Sequence, residues 1–317
     1  MGAAMPPEVP GDAPGPAAAA PPPASPPPAA GGPLVSLRGV DVAYGHRRAL
    51  AGVDLEAGPG ATAVLGPNGS GKSTLLRLIA TVVTTPTGTV RIAGADPRRA
   101  ADRVAIRRRL GYQPQSDALP HRLRVVDHLD YVAALCEITP RRLRRRWSAW
   151  ALEMVGLADV AAERIGRLSG GMRRRLLFAQ ALLGGPDLLV CDEPLASLDA
   201  AWRSRLTTLL THRAAEATVV VATHHADELA AVCHRVVVLD DGRVAFSGTP
   251  AALAERARGR AWDVTRPPPA GAAARAVGPG RWRLVADRPP PDAHPATPSV
   301  HDGYLVVTAG AATGAAT

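Results

Sequence analysis

Residues 61–80, ATAVLGPNGSGKSTLLRLIA, constrain the fold more than any other part of this 317-residue chain. A short apolar run reads as a buried strand, and the Leu/Ile pattern after Ser73 reads as a helix. Between them lie Gly66, Pro67, Asn68, Gly69, Ser70, Gly71, Lys72, Ser73 and Thr74. Gly66-x4-Gly71-Lys72-Ser73 fits the phosphate-binding loop pattern. Glycines let backbone N–H groups turn inward around an anion without Cβ clashes. The helix that follows offers its free amides and the positive end of its dipole. Lys72 is a compact charge that bridges β- and γ-phosphate oxygens, and the Ser73 hydroxyl suits Mg²⁺. The plain alternative is a glycine turn that happens to precede a helix. Usage argues against it: Lys72 is the only lysine and Asn68 the only asparagine in a chain with 37 Lys and Arg. Arginine, longer and planar, cannot replace a lysine at this point.

Composition narrows the setting. The net charge is +9, which suits nucleic acid, anionic lipid or acidic partners without choosing among them. Aromatics are 3%, too few for a base-stacking surface. No apolar run is long enough to predict a transmembrane helix, and the N-terminus lacks the features of a secretory signal. Cys136, Cys191 and Cys233 are odd in number and widely spaced, which excludes a disulfide framework and a zinc cluster and predicts a reducing, cytoplasmic setting.

Three regions follow from the pattern along the chain. Residues 1–33 are dominated by Pro and Ala and predict a disordered tail. From residue 34 to about 250, strand-like runs alternate with helical ones, which predicts an α/β domain around a largely parallel sheet. RVVVLDDGRVAFSG reads as a hairpin with an Asp-Gly turn. Residues 120–168 carry little strand signal and predict a helical subdomain. Residues 251–317 are Pro-interrupted; AWDVT and RWRLVA read as strands, predicting a small, partly ordered β appendage with SVHDGYLVV as its terminal element.

Two further constellations carry chemistry. LLVCDEP, residues 188–194, is an apolar strand ending in Asp192 and Glu193. An aspartate at such a strand end can hold a Mg²⁺ shell, and the adjacent glutamate can polarise a water for attack on a γ-phosphate. LSGG, residues 168–171, places Ser169, Gly170 and Gly171 at a helix N-terminus. That is either an ordinary serine N-cap or a second anion site. One chain rarely needs two γ-phosphate cradles, whereas a head-to-tail dimer does.

The order GPNGSGKST, YQPQ, LSGGM, LLVCDEP, SLD, THH resembles the ATP-binding cassette (ABC) ATPases over residues 34–250. The resemblance implies a P-loop NTPase of the ABC type, with ATP and Mg²⁺ as cofactors. It assigns Gln115 to the loop that touches Mg²⁺ and senses a membrane partner; Gln113 is the less favoured candidate. Tyr44 matches the adenine-stacking aromatic, a core or strand-edge tyrosine being the alternative. Asp199 matches the aspartate of the dimer interface, and His224 the histidine that contacts the γ-phosphate, with His225 beside it less favoured. Lys72, Gln115, Glu193 and His224 are thus the catalytic candidates, and Ser73, Gln115 and Asp192 the metal candidates. Met172 in place of the commoner Gln, followed by Arg173, Arg174 and Arg175, resembles the multidrug, antibiotic, lipid and polysaccharide exporters. Gln180 departs from the family's usual arginine, and PLASLD from its usual D-loop.

The implied protein is the ATPase of an exporter on the cytoplasmic face of the membrane. Two copies would sandwich ATP and drive a separate permease, with no nucleic acid expected. A soluble ABC ATPase acting on nucleic acid or ribosomes is the alternative, and a non-hydrolysing nucleotide-gated module is the third reading. Import instead of export stays open. Two arginine clusters, residues 98–109 and 141–146, read equally as partner surfaces or as solvated faces.

Overall fold

In the computed structural model, the described residues are 34–314, except 84–85, 117, 225 and 270–271. The expected Pro/Ala-rich tail lies outside them, as does His225. No helix among the described residues is long and apolar enough to cross a membrane.

The chain opens with β1 (Val35–Tyr44) and β2 (Arg47–Ala57), an antiparallel pair that β4 (Thr89–Ile92) extends on the far side of β1. Between them come β3 (Gly60–Leu65) and α1 (Lys72–Ile79). Then follow α2 (Ala100–Arg107), β5 (Leu110–Gln113), α3 (Val125–Leu135), α4 (Arg141–Met154) and α5 (Gly170–Leu182). The domain closes with β6 (Leu188–Asp192), α6 (Ala200–Glu216), β7 (Thr218–Ala222), α7 (Ala226–Ala230), β8 (Arg235–Asp240) and β9 (Arg243–Gly248). The central sheet runs β5-β6-β7-β3-β8-β9; all of its pairings are parallel except β8–β9.

The apolar runs are strands because both faces of this sheet are covered. Along β7, Val219 and Val221 pack with α3 to α6, while Val220 and Ala222 pack with α1, β1 and β2. The β8–β9 hairpin turns at Asp241 and Gly242, both at positive φ (41° and 74°), as an Asp-Gly turn requires. Helices α3 and α4 form the helical insert, with Trp147 fully inside its packing.

The C-terminal region holds a small antiparallel sheet and ends in a helix. After α8 (Pro250–Glu255), strands β10 (Ala261–Val264), β11 (Ala274–Gly278), β12 (Arg281–Val285) and β13 (His294–Pro295) form an antiparallel sheet in the order β11-β12-β10-β13. SVHDGYLVV then begins α9 (Val300–Gly314). The β-branched run becomes helical because its start is capped reciprocally. The Asp302 N–H donates to Ser299 Oγ (3.2 Å), and the Ser299 N–H donates to Asp302 Oδ2 (2.9 Å). Gly303 then lets α9 approach α8 so closely that a Cβ there would collide with the Leu253 carbonyl.

Candidate active site

The loop between β3 and α1 is shaped by what its glycines avoid. A Cβ on Gly66 would collide with the Leu239 carbonyl, and one on Gly71 with the Ala49 carbonyl. Gly71 precedes α1 at φ 103° and no side chain caps that helix start. The first amides of α1 therefore remain available to an anion. Lys72 is almost fully buried, and its Nζ donates to the carbonyls of Gly66 (2.7 Å) and Pro67 (3.0 Å). Burial lowers its pKa, while the nearby Glu193 and Asp192 carboxylates act against that shift.

The ends of β6 and β7 bring acids to this loop. Asp192 is 1% exposed, and neither carboxylate oxygen has a hydrogen-bond partner among the described residues. Burial raises its pKa; the Ser73 hydroxyl, Arg77 and Lys72 oppose that shift, while Glu193 adds to it. A buried, unpartnered carboxylate is costly unless a cation meets it. Glu193 follows with its backbone in the left-handed region, φ 52°, which costs a non-glycine residue on the order of 1–3 kcal/mol. Its N–H donates to the Ala222 carbonyl (2.9 Å), pinning the β6 end to β7. His224, just past β7, places Nδ1 2.9 Å from Glu193 Oε2.

A cleft of about 540 Å³ is lined by Tyr44, Asn68, Gly69, Gly71, Lys72, Ser73, Thr74, Gln115, Asp192 and Glu193. Ten of the residues singled out from sequence thus meet in one place. Tyr44, the last residue of β1, is 49% exposed, which excludes a core tyrosine and leaves a stacking face or a strand-edge position. Gln115 lines the cleft, whereas Gln113 is fully buried within β5. Arg47 and Ala49 also line it and were missed. Arg47, which donates to the Gly69 carbonyl (3.2 Å), lies in a run of polar residues with no distinguishing pattern.

Ser169, Gly170, Gly171 and Asp199 do not line this cleft. Ser169 caps α5 by accepting from the Met172 N–H (3.2 Å), and Asp199 caps α6 by accepting from the Trp202 N–H (2.9 Å). Ser169, Gly170 and Asp199 are exposed.

The three arginines after Met172 each make a distinct tie. Arg173 donates to the Leu168 carbonyl (2.8 Å) and Arg174 to the Gln115 carbonyl (2.6 Å). Arg175 lies 4.0 Å over the Trp202 ring and donates to the Val155 carbonyl (2.9 Å). Three of the six arginines in the first cluster have acidic partners: Arg98 pairs with Asp96, Arg108 with Glu137 and Arg109 with Asp187. In the second, Arg144 pairs with Asp130 (3.1 Å), while Arg141, Arg142, Arg145 and Arg146 line a shallow surface depression.

A protein-family profile described as "ABC transporter" matches residues 50–196. Nod factor export ATP-binding protein I of Paraburkholderia xenovorans (strain LB400) is 37% identical over 220 residues, covering 68% of this chain and 70% of that protein. Phosphonates import ATP-binding protein PhnC of Anaeromyxobacter dehalogenans (strain 2CP-C) is 38% identical over 275 residues. That alignment covers 82% of this chain, which spans about half (52%) of that relative. Among solved structures, a dimeric post-hydrolysis state of the ATP-binding cassette MJ0796 bound to ADP and Pi matches with a TM-score of 0.63 at 27% identity. The match covers 68% of this chain and 98% of that one.

Proposed function

Since this chain belongs to the ABC transporter family and is an ATP-hydrolysing cassette, we propose that it works as a Mg²⁺-dependent ATPase that closes with a second copy of itself and drives export through a separate membrane permease. The observation that carries the catalytic part is the contact of His224 with Glu193, which lines the cleft together with Lys72. The nucleotide's phosphates fit the loop that Gly66 and Gly71 let fold closely against the Leu239 and Ala49 carbonyls. A divalent cation fits the unpartnered carboxylate of Asp192, with Ser73 and Gln115 completing the donor set. Once bound, Mg²⁺ would neutralise charge on the β- and γ-oxygens.

The chain's own groups do the rest. Tyr44 offers a face to the adenine ring. Lys72 and the first amides of α1 hold the phosphates. Glu193 accepts a proton from the attacking water, and His224 fixes the carboxylate that accepts it. Exposed Ser169, Gly170 and Asp199 and half-buried Gly171, none of which lines the cleft, would complete the partner copy's site.

Export rests on the LSGGM-Arg signature and on the relative named for Nod factor export. A relative named for phosphonate import is equally similar, so direction has to be measured. Mild-detergent extraction of the tagged chain is expected to recover a polytopic membrane protein in stoichiometric amount. ATP added to inside-out vesicles holding both should then drive substrate inward. Recovery of ribosomes or of the chain alone would overturn the transporter reading; inward transport in right-side-out vesicles with internal ATP would overturn export.

A second expectation uses the single lysine. An amine-reactive reagent should label the native protein only at Lys72 and the N-terminus, with MgATP protecting Lys72 alone. Labelling of Lys72 indifferent to ATP would remove it from the phosphates.

A further inference from the structure

The helix that follows His224 is too short to hold its own position. Helix α7 has five residues, below the length at which a helix is stable alone. Two adjacent acids on it reach in different directions. Glu228 pairs with Arg203 on α6 (3.3 Å), the helix that Asp199 caps. Asp227 pairs with Arg275 on β11 (Oδ2 to Nη2, 3.0 Å) and accepts from the His301 N–H of α9 (Oδ1, 2.9 Å).

The second contact is an anion seated at a helix N-terminus, where free amides and the helix dipole both favour negative charge. The receiving end is itself well fixed. Asp302, fully buried, accepts from Arg283 (2.8 Å), which also donates to Asp263 on β10 (2.8 Å). Arg275 additionally donates to Ser299 Oγ (3.0 Å). Gly303 lets α9 seat directly against the Leu253 carbonyl of α8. Among the described residues, none beyond 250 lines the nucleotide cleft. Yet the C-terminal module grips α7 three residues after His224, and His224 grips Glu193.

We propose that Asp227 is a positioning residue for ATP hydrolysis, latching the His224 segment to the C-terminal module, so that residues 251–314 set the turnover rate without touching nucleotide. This rests on the proposed role of His224 in fixing the Glu193 carboxylate. A module that can be moved against α7 would then be a handle through which a partner changes the rate.

The test compares wild type with Asp227→Asn and Gly303→Ala in the full-length chain. Asp227→Asn keeps the shape and weakens the Arg275 pair. Gly303→Ala forces α9 off α8 at a distance from the cleft. Both variants are expected to lower kcat by about fivefold or more, the lower end of ordinary coupling between sites, with KM for ATP within twofold of wild type. Hydrogen exchange in residues 226–230 should quicken in both. Arg275→Lys, which keeps a cation opposite Asp227, should retain most of the rate.

Three results would overturn the proposal: unchanged kcat with faster exchange in α7, unchanged exchange in α7, or a rise in KM matching the fall in kcat/KM. The exchange measurement needs no turnover. Slow, latch-dependent exchange in a chain whose His224→Ala variant turns over normally would sink the assigned role of His224 while leaving the latch itself standing.

Discussion

Glu193→Gln is expected to lower steady-state ATP turnover by about 10²–10⁴-fold, the range typical for loss of a general base, while leaving ATP binding intact. The substitution is nearly isosteric, so the packing around this 7%-exposed residue should survive. The strained backbone at φ 52° belongs to the loop and not to the carboxylate, so it should persist as well. What disappears is a proton acceptor whose orientation is set by His224 Nδ1 at 2.9 Å. With binding retained and hydrolysis blocked, the closed ATP-bound dimer should accumulate. Light scattering behind size exclusion would show a shift from monomer to dimer that needs ATP and is absent from wild type under turnover. Normal turnover in the variant would remove Glu193 from the chemistry and leave its strained backbone without a catalytic explanation. His224→Ala should cost less, because it removes the group that holds the base and not the base itself.

Local chemistry was legible wherever adjacent residues carry it. The loop from Gly66 to Thr74 announces itself through glycine spacing and a unique lysine, and Asp241-Gly242 through the φ values such a turn demands. Strands buried on both faces read as plain apolar runs, as 188–192 and 218–222 do. Pairings between distant residues were not legible. Nothing in the alternating burial of β1 says that it pairs with β2 and β4 in a separate sheet. The first arginine cluster looked like a patch because its counter-ions lie elsewhere in the chain, Asp187 for Arg109 and Glu137 for Arg108. Arg173, Arg174 and Arg175 could be read as a signature, but their three different carbonyl and ring partners depend on how α5 lies against its neighbours. The terminal run SVHDGYLVV left its type open for a definite reason: Val and Tyr favour strands, and the Ser299–Asp302 cap with the Gly303 contact makes it a helix.

Lys72→Ala should separate two roles that burial confounds. In the free protein Lys72 costs desolvation energy, seen in its lowered pKa, and regains part of it through its bonds to the Gly66 and Pro67 carbonyls. Those opposing contributions leave little net stability in the side chain, so the variant should melt within a few degrees of wild type. The bound state differs, because a concentrated positive charge then faces phosphate oxygens where the helix start alone would have to serve. ATP at about 100 times Kd should stabilise wild type by about 2.7 kcal/mol, and the variant should show almost none of that shift at the same concentration. Lys72→Arg should do little better, since a planar guanidinium cannot reach both carbonyls and phosphates from this buried stem. A thermal melt of the three proteins with and without MgATP checks all of this at once. An ATP-induced shift in Lys72→Ala equal to that of wild type would mean that the glycine amides hold the phosphates unaided. Lys72 would then be the internal tie that keeps the loop open, bonded to Gly66 and Pro67 as it is before any nucleotide arrives.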